Sequence, residues 1–521
     1  MSTYAEIRQK KLEANRQNLL ALGIAQDVPK KEEPKPKPVK TKAPAKRKAV
    51  APADENVERR RSTRMRPSVM TSDELAAAAT ADKLAKEEEE EEKRRRKHDP
   101  RTIEALSRVT GSLDQLSLQD ELKSLATRSK AIEKTWFETE APVYPTKESV
   151  ETLQSTLEEL EHRGTVKITP ERVYSLHYHP DTTKDLIFIG DKEGNVGLWD
   201  ATETQAADDD GEGENKGRYW HWRAHQRSIS SLKFAPTDLG TLYTASYDCT
   251  LRKTNLETGY SEEVIDVDRW VEFGDGLLHA FDFNREGNQI WAVDNDGGII
   301  HRDLREPMQQ ARRWQADVAK IGGLSVNPIN PFVGVTAHLK HDLRLWDFKK
   351  LLGMPEDADS RDINENCVVS QYEHSKACSS SYWDRSGTKV LTTSYDDLIR
   401  VFDINPRKLG QYLDKDLVPS VKMGHNCQTG AYVSVFRAHW STCPTLPLHV
   451  IVANMDRTLD VLAPFPSPKG KSVVQLTDEV ITAVPAVTAS HPTREGRFAG
   501  GNSSGKISFY APPDEPVEAE E

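Results

Sequence analysis

Two histidines in this chain of 521 residues stand at nearly equal distances ahead of aspartates: His225 before Asp248, and His374 before Asp396. A His–Asp pair is half of a general-base apparatus, in which the carboxylate fixes the imidazole and the imidazole takes a proton from a nucleophile. The other half is missing. There is no G-x-S-x-G, no H-E-x-x-H, no phosphate-binding G-x-x-x-x-G-K and no kinase signature. Both aspartates instead sit in near-identical phrases, "ASYDCTLRKTN" at 245–255 and "TSYDDLIRVFD" at 393–403. The pairs therefore read as structural, each histidine satisfying a turn carboxylate and its neighbouring Ser246 or Ser394 as the turn is buried. No enzyme, cofactor or metal site is expected.

A second chemistry comes from cations just ahead of short apolar runs. Arg172 precedes Val173, Arg227 lies two residues before Ile229, Lys320 precedes Ile321, and Lys376 lies two before Cys378. The whole chain carries a net charge of −11. An acidic chain that gathers cations at one repeated position suggests an anionic ligand there. The connection 405–432 adds Lys422 and the polar, Gly-bounded "GHNCQTG". It is expected to project as a hairpin, with His425, Asn426 and Gln428 suited to stack on or hydrogen-bond base edges.

The elements that must carry these residues begin near residue 166. From there, short apolar runs alternate with Gly, Asp, Asn and Pro turns, the texture of an all-β domain. Seven phrases align: "GDKEGNVGLWD", "SYDCTLRKTN", "VDNDGGIIHRD", "HLKHDLRLWD", "SYDDLIRVFD", "NMDRTLDVLA" and "NSSGKISFY". All but one of their spacings exceed the roughly 40–45 residues of a WD repeat, by loop insertions, and Trp-Asp itself survives at 199–200 and 346–347. Each unit is a four-stranded meander that buries its faces only against its neighbours. The fold expected is an all-β, seven-bladed WD40 β-propeller over 166–512. "GTVKITP" at 164–170 is placed to complete the last blade and close the ring.

A disordered and helical extension is expected ahead of the propeller. Residues 1–27 hold an amphipathic helix, and 28–97 form a Pro-rich basic arm and charged spacer. Between Lys30 and Arg66 there are 14 basic and 5 acidic residues, and the prolines and charge forbid a core. Lys46, Arg47, Lys48, Arg59, Arg60, Arg61 and Arg64 are the arm's densest cations; they suit nuclear import, phosphate contact or both. Residues 98–165 read as a helical lead-in, and 513–521 as an acidic tail. No apolar run is long enough to span a membrane. The five cysteines are widely spaced and suit a reducing compartment.

Taken together, "YAEIRQKKLEANRQNLLALGI" at 4–24, "RRRSTR", "SYDCTLR" and "GHNCQTGAYVSVFRAHW" at 424–440 resemble the fungal WD-repeat DNA-damage-binding proteins of the changed-mutation-rate family. The resemblance implies a nuclear protein that binds single- and double-stranded DNA with some preference for ultraviolet-damaged DNA; a non-enzymatic monomer is expected. A more distant similarity, to the small subunit of the ultraviolet-damaged DNA-binding complex, implies an aromatic-tipped wedge. The corresponding stretch here, His425 to Gln428, has no aromatic, so a modest damage preference is the expectation. Two rival functions remain. "HRDLRE" resembles the Asp-x-Arg ending of ubiquitin-ligase adaptors, with Arg305 as the contact. A propeller also suits a scaffold for histones, chromatin proteins or other peptides.

Overall fold

Runs such as Leu186–Asp191 (LIFIGD) and Val333–His338 (VGVTAH) are buried at every position. An alternating strand covers one face; a strand without alternation needs both faces covered. Radial packing of sheets supplies both covers. The computed structural model describes residues 102–104, 106, 109–111, 115–132, 144–204, 215–271, 276–412, 417–430, 432–464 and 472–513. The expected helix at 1–27, the arm, the spacer and the tail beyond 513 lie outside the described residues.

Seven antiparallel sheets follow one another along the chain, each a meander from an inner to an outer strand. The ring closes as anticipated: Glu161–Lys167 pairs with Lys506–Ala511 and becomes the outer strand of blade seven. Thr165 Oγ1 and Ser508 Oγ meet across this seam at 2.8 Å. A chain that joins its ends in one sheet leaves no open edge there.

The turn between the second and third strands has one repeated device. The residues in left-handed conformation there are Gly194, Cys249, Gly297, His341, Asp397, Arg457 and Gly505, one in each blade. Glycine adopts this geometry without penalty; the other four are held in it by their surroundings. In blades one to five the turn is tied to the loop entering the inner strand: the amides of Lys192, Tyr247, Asn295, Leu339 and Tyr395 donate to the carbonyls of Arg172, Ser228, Leu277, Lys320 and Ala377. Loop and turn therefore share one end of the ring, the top face. The third strands end on the opposite, bottom face.

The described parts of the lead-in pack on the outside of the ring, the first of them against blades one and two. Thr102–Glu104 adds a fifth strand to blade two, and Val109–Gly111 adds one to blade one. Helix α1 (Gln115–Ile132) buries Leu118, Leu122 and Leu125, spaced along one face, in a cluster with Phe234, Leu239 and Leu242. Its buried Glu121 receives Lys184 at 2.8 Å and Arg218 at 3.1 Å, both shared with Asp200. Helix α2 (Lys147–Glu158) starts on a Thr146–Ser149 capping box and buries Leu153 and Leu157 near blade six. Among the described residues no helix is long and apolar enough to cross a membrane.

Candidate nucleic-acid interface

The histidines resolve first, because they decide which polar groups are free. His225 Nδ1 lies 3.0 Å from Asp248 Oδ2, as expected. Its Nε2 meets Thr244 Oγ1 at 2.7 Å, not Ser246, whose hydroxyl donates to the Arg227 carbonyl. Asp248 also accepts from Gln226 N, Thr250 N and Thr250 Oγ1. These bonds hold its carboxyl well below the usual range, against the opposing effect of burial. Both imidazole nitrogens are occupied and the pair is buried, so it has no position from which to take a substrate proton.

The second pair does not form. His374 Nδ1 bonds the His341 carbonyl at 3.0 Å and Nε2 meets Thr392 Oγ1. Asp396 instead takes a bidentate guanidinium from Arg400, at 2.7 and 2.9 Å, and both the amide and the hydroxyl of Ser375. A charged donor with two parallel N–H groups outcompetes a neutral imidazole for the carboxylate. Arg400 is buried in this pairing, and Arg252, at the matching strand position of blade two, is buried beside Glu263. Blade four uses the same parts in reverse order: His338, in the second strand, bonds Asp317, which stands ahead of the inner strand. Trp346 Nε1 and Thr336 Oγ1 extend this chain.

This series also reassigns His425. The amides of His225, Asp317, His374 and His425 donate to the carbonyls of Gly194, Gly297, His341 and Asp397, the left-handed turn residues of the preceding blades. His425 thus occupies the structural position of blade six and is 7% exposed, with Nε2 3.4 Å from Asp460 Oδ2. The expected projecting hairpin is instead an extended segment laid across the turn of blade five. Asp397 accepts from Cys427 N at 3.1 Å and from Gln428 Nε2 at 2.5 Å. His425 and Cys427 point inward, Asn426 and Gln428 outward. We expect His425→Ala to destabilise the fold by about 2–3 kcal/mol. Asn426→Ala should stay within about 0.5 kcal/mol. Urea denaturation of the two variants measures both.

The cations are distributed unevenly. Arg227 and Lys376 are exposed on the top face, and Arg172 is half-buried there. Lys422 lies on the outer strand of blade five, paired in register with Arg400 and away from the axis. Arg305 is exposed on the bottom face and folds back on Asp303 with bonds of 2.9 and 2.5 Å. The arm's cations lie outside the described residues.

What gathers at the axis is Lys320 together with groups not singled out from sequence. Arg437 stands two residues before the inner strand of blade six (His439–Trp440), the same place that Arg227 and Lys376 hold in their blades. Tyr247 and His279 meet at 3.2 Å between Oη and Nδ1, with ring centroids 5.0 Å apart. Tyr174 approaches Tyr247 edge-on at 6.2 Å. Burial, and then the charges of Lys320 and Arg437, push the His279 pKa well down, so the ring is neutral. Burial, then the Arg437 charge, lowers the Lys320 ammonium to about 8. Below lies a channel of about 880 Å³ along the axis, lined by Tyr174, Lys233, Asp282, Tyr382, Arg437 and His439 among others. Tyr432, on the loop entering blade six, is 83% exposed, the most of any large hydrophobic side chain among the described residues. It was legible in "GAYVSVF" but lies just beyond the polar stretch that drew the reading.

The arrangement offers cations, π-faces and, among the described residues, no carboxylate within ion-pair distance of Arg227, Lys320, Lys376 or Arg437. Comparison with known proteins gives four matches. The model for "WD domain, G-beta repeat" matches residues 365–403. A protein of Cryptococcus neoformans var. neoformans serotype D named DNA damage-binding protein CMR1 is 34% identical over 435 residues, covering 70% of this chain and 72% of that one. A protein of the same name from Phaeosphaeria nodorum is 36% identical over 355 residues, covering 66% of each. Among solved structures, the Cps50 (Swd1) β-propeller domain of Myceliophteria thermophila is 14% identical, with a TM-score of 0.48, covering 68% of this chain and 99% of that one.

Proposed function

The chain belongs to the CMR1 family of DNA damage-binding proteins, and we propose that it is a non-enzymatic nuclear protein that binds DNA on the top face of its propeller. The observation that carries this reading is the grouping of Arg227 and Arg437 about Tyr247, with Lys320 beside Arg437 and His279, on a chain of net charge −11. Cations beside aromatic faces are what a nucleic-acid strand needs: charge for the backbone, a π-surface for bases. Lys376 and Arg172 extend the contact around the rim. The basic arm, with Lys46 to Lys48 and Arg59 to Arg64, adds a second, sequence-independent hold on phosphates.

Phosphate contacts position a protein but do not identify a lesion. Damage preference requires a group that samples stacking, which costs less to disturb at a damaged step. Tyr432 supplies the exposed aromatic face, with Asn426 and Gln428 beside it in the chain. His425 drops out of that role because it is buried. The ubiquitin-ligase adaptor reading rests on Arg305, which lies on the other face and is engaged with Asp303.

Mobility-shift titration of the full chain against irradiated duplex, intact duplex and single strand tests the reading. Binding to all three is expected, with a several-fold preference for irradiated duplex. Tyr432→Ala should lower the irradiated-to-intact ratio about threefold and leave intact-duplex affinity nearly unchanged. No retardation of any probe at low salt sinks the proposal.

A further inference from the structure

The mouth of the channel has a charge imbalance that a DNA backbone alone does not answer. Lys320 and Arg437 come from blades four and six and feel each other's charge. Neither side chain makes a hydrogen bond or ion pair among the described residues. Two cations held together and partly out of water repel one another and lose hydration. The polar chain beside them leaves donors over. A neutral His279 accepts from Tyr247 Oη at Nδ1 and donates from Nε2 to Asn295 Oδ1, 3.3 Å away. The Asn295 side-chain amide then has its N–H groups left for a ligand, and Asn295 is exposed. The Lys320 chain lies along this wall: a Cβ on Gly322 would be in ordinary contact with Lys320 Cε, at 3.7 Å.

We propose that this mouth is a binding site for a phosphomonoester, the terminal phosphate of a nucleic-acid strand or of a free nucleotide. Two uncompensated cations and an amide donor match a dianion with several acceptor oxygens. A phosphomonoester carries about −1.5 to −2 charges at pH 7; a phosphodiester or a carboxylate carries one. Tyr247 and Tyr174 lie beside the cations and offer the attached base a stacking face. The inference rests on the DNA-binding reading only for the carrier of the phosphate. The internal phosphates of a duplex contact the rim and the outer side of Arg437, whereas Lys320 and Arg437 together receive an end.

Isothermal titration of the full chain with dAMP and with deoxyadenosine tests it, beside a single-stranded decamer with a 5′-phosphate and its 5′-hydroxyl twin. The expected result is one dAMP site per chain and no deoxyadenosine binding. Lys320→Met or Arg437→Met should weaken dAMP at least tenfold, with unchanged thermal melts, and Lys320→Arg should retain it. A tighter phosphorylated decamer, displaced by dAMP, identifies strand ends as the source; equal decamers with dAMP bound identify the free nucleotide. If dAMP binds no better than deoxyadenosine and the decamers are equal, the inference is overturned. Retained binding of an intact duplex in that same case leaves the DNA-binding reading standing, and its loss removes both.

Discussion

Replacing Arg227 and Arg437 together with glutamate is expected to reduce affinity for intact duplex about 100-fold at low salt. Each reversal removes one phosphate contact and adds a repulsion, and about 1.4 kcal/mol per site is tenfold per site. The two guanidiniums belong to different blades and both act on Tyr247, so the effects should be near additive unless the strand shifts. Fold loss is not a competing explanation. Neither side chain makes an ion pair among the described residues, so neither reversal strands a buried partner. Fluorescence anisotropy with a labelled duplex, beside a thermal melt, reads both quantities. Reversal of Lys422, on the outer strand of blade five, should change affinity by less than threefold, because only the rim field reaches it.

The second large effect is on stability. Between pH 7 and pH 5 the propeller should lose on the order of 5 kcal/mol. Four buried histidines set the sign. Burial pushes His179, His374 and His449 down to about 4 and His491 to about 3. In the unfolded chain each titrates near 6.5. As pH falls below 6.5 the unfolded state takes up protons that the folded state refuses, so stability falls until the folded values near 4 and 3 are reached. The depressed carboxylates, Asp248, Asp317 and Asp396, act in a lower window. Their contribution is complete above about pH 4 and is lost only in stronger acid. Urea midpoints at half-unit steps from pH 7.5 to 4.5 measure this. A flat profile down to pH 5 contradicts neutral burial of the four imidazoles.

The ring itself was readable because its signals are local. Buried second strands appear as unbroken apolar runs, the turn acids recur, and "GTVKITP" has no other place to pair. The site was harder to read for reasons that are equally local. The inner strand of blade six spans only His439–Trp440, too short to mark Arg437 as a residue ahead of a strand. The blade-four network runs Asp317 before His338, the reverse of blade two, so a search for His-then-Asp passes over it. In blade six the acid that answers His425 is Asp460 in the third strand, not Asp456 in the turn. That displacement made a structural histidine look like a free loop residue. At His374, spacing predicted a partner that Arg400 had already taken. Spacing gives proximity; which donor wins a carboxylate depends on charge and geometry, and those appear only once the strands are in register.

The central claim is that duplex phosphates are held by the cations of the top face, and the salt dependence of binding tests it most directly. Log affinity of the full chain for an intact duplex, plotted against log salt from 50 to about 250 mM, falls by about 0.9 per phosphate contact. The Arg227→Glu, Arg437→Glu variant is predicted to flatten that slope by about 1.8 while its melt is unchanged. A variant slope equal to that of the unmodified chain would place the contacts elsewhere and contradict the account.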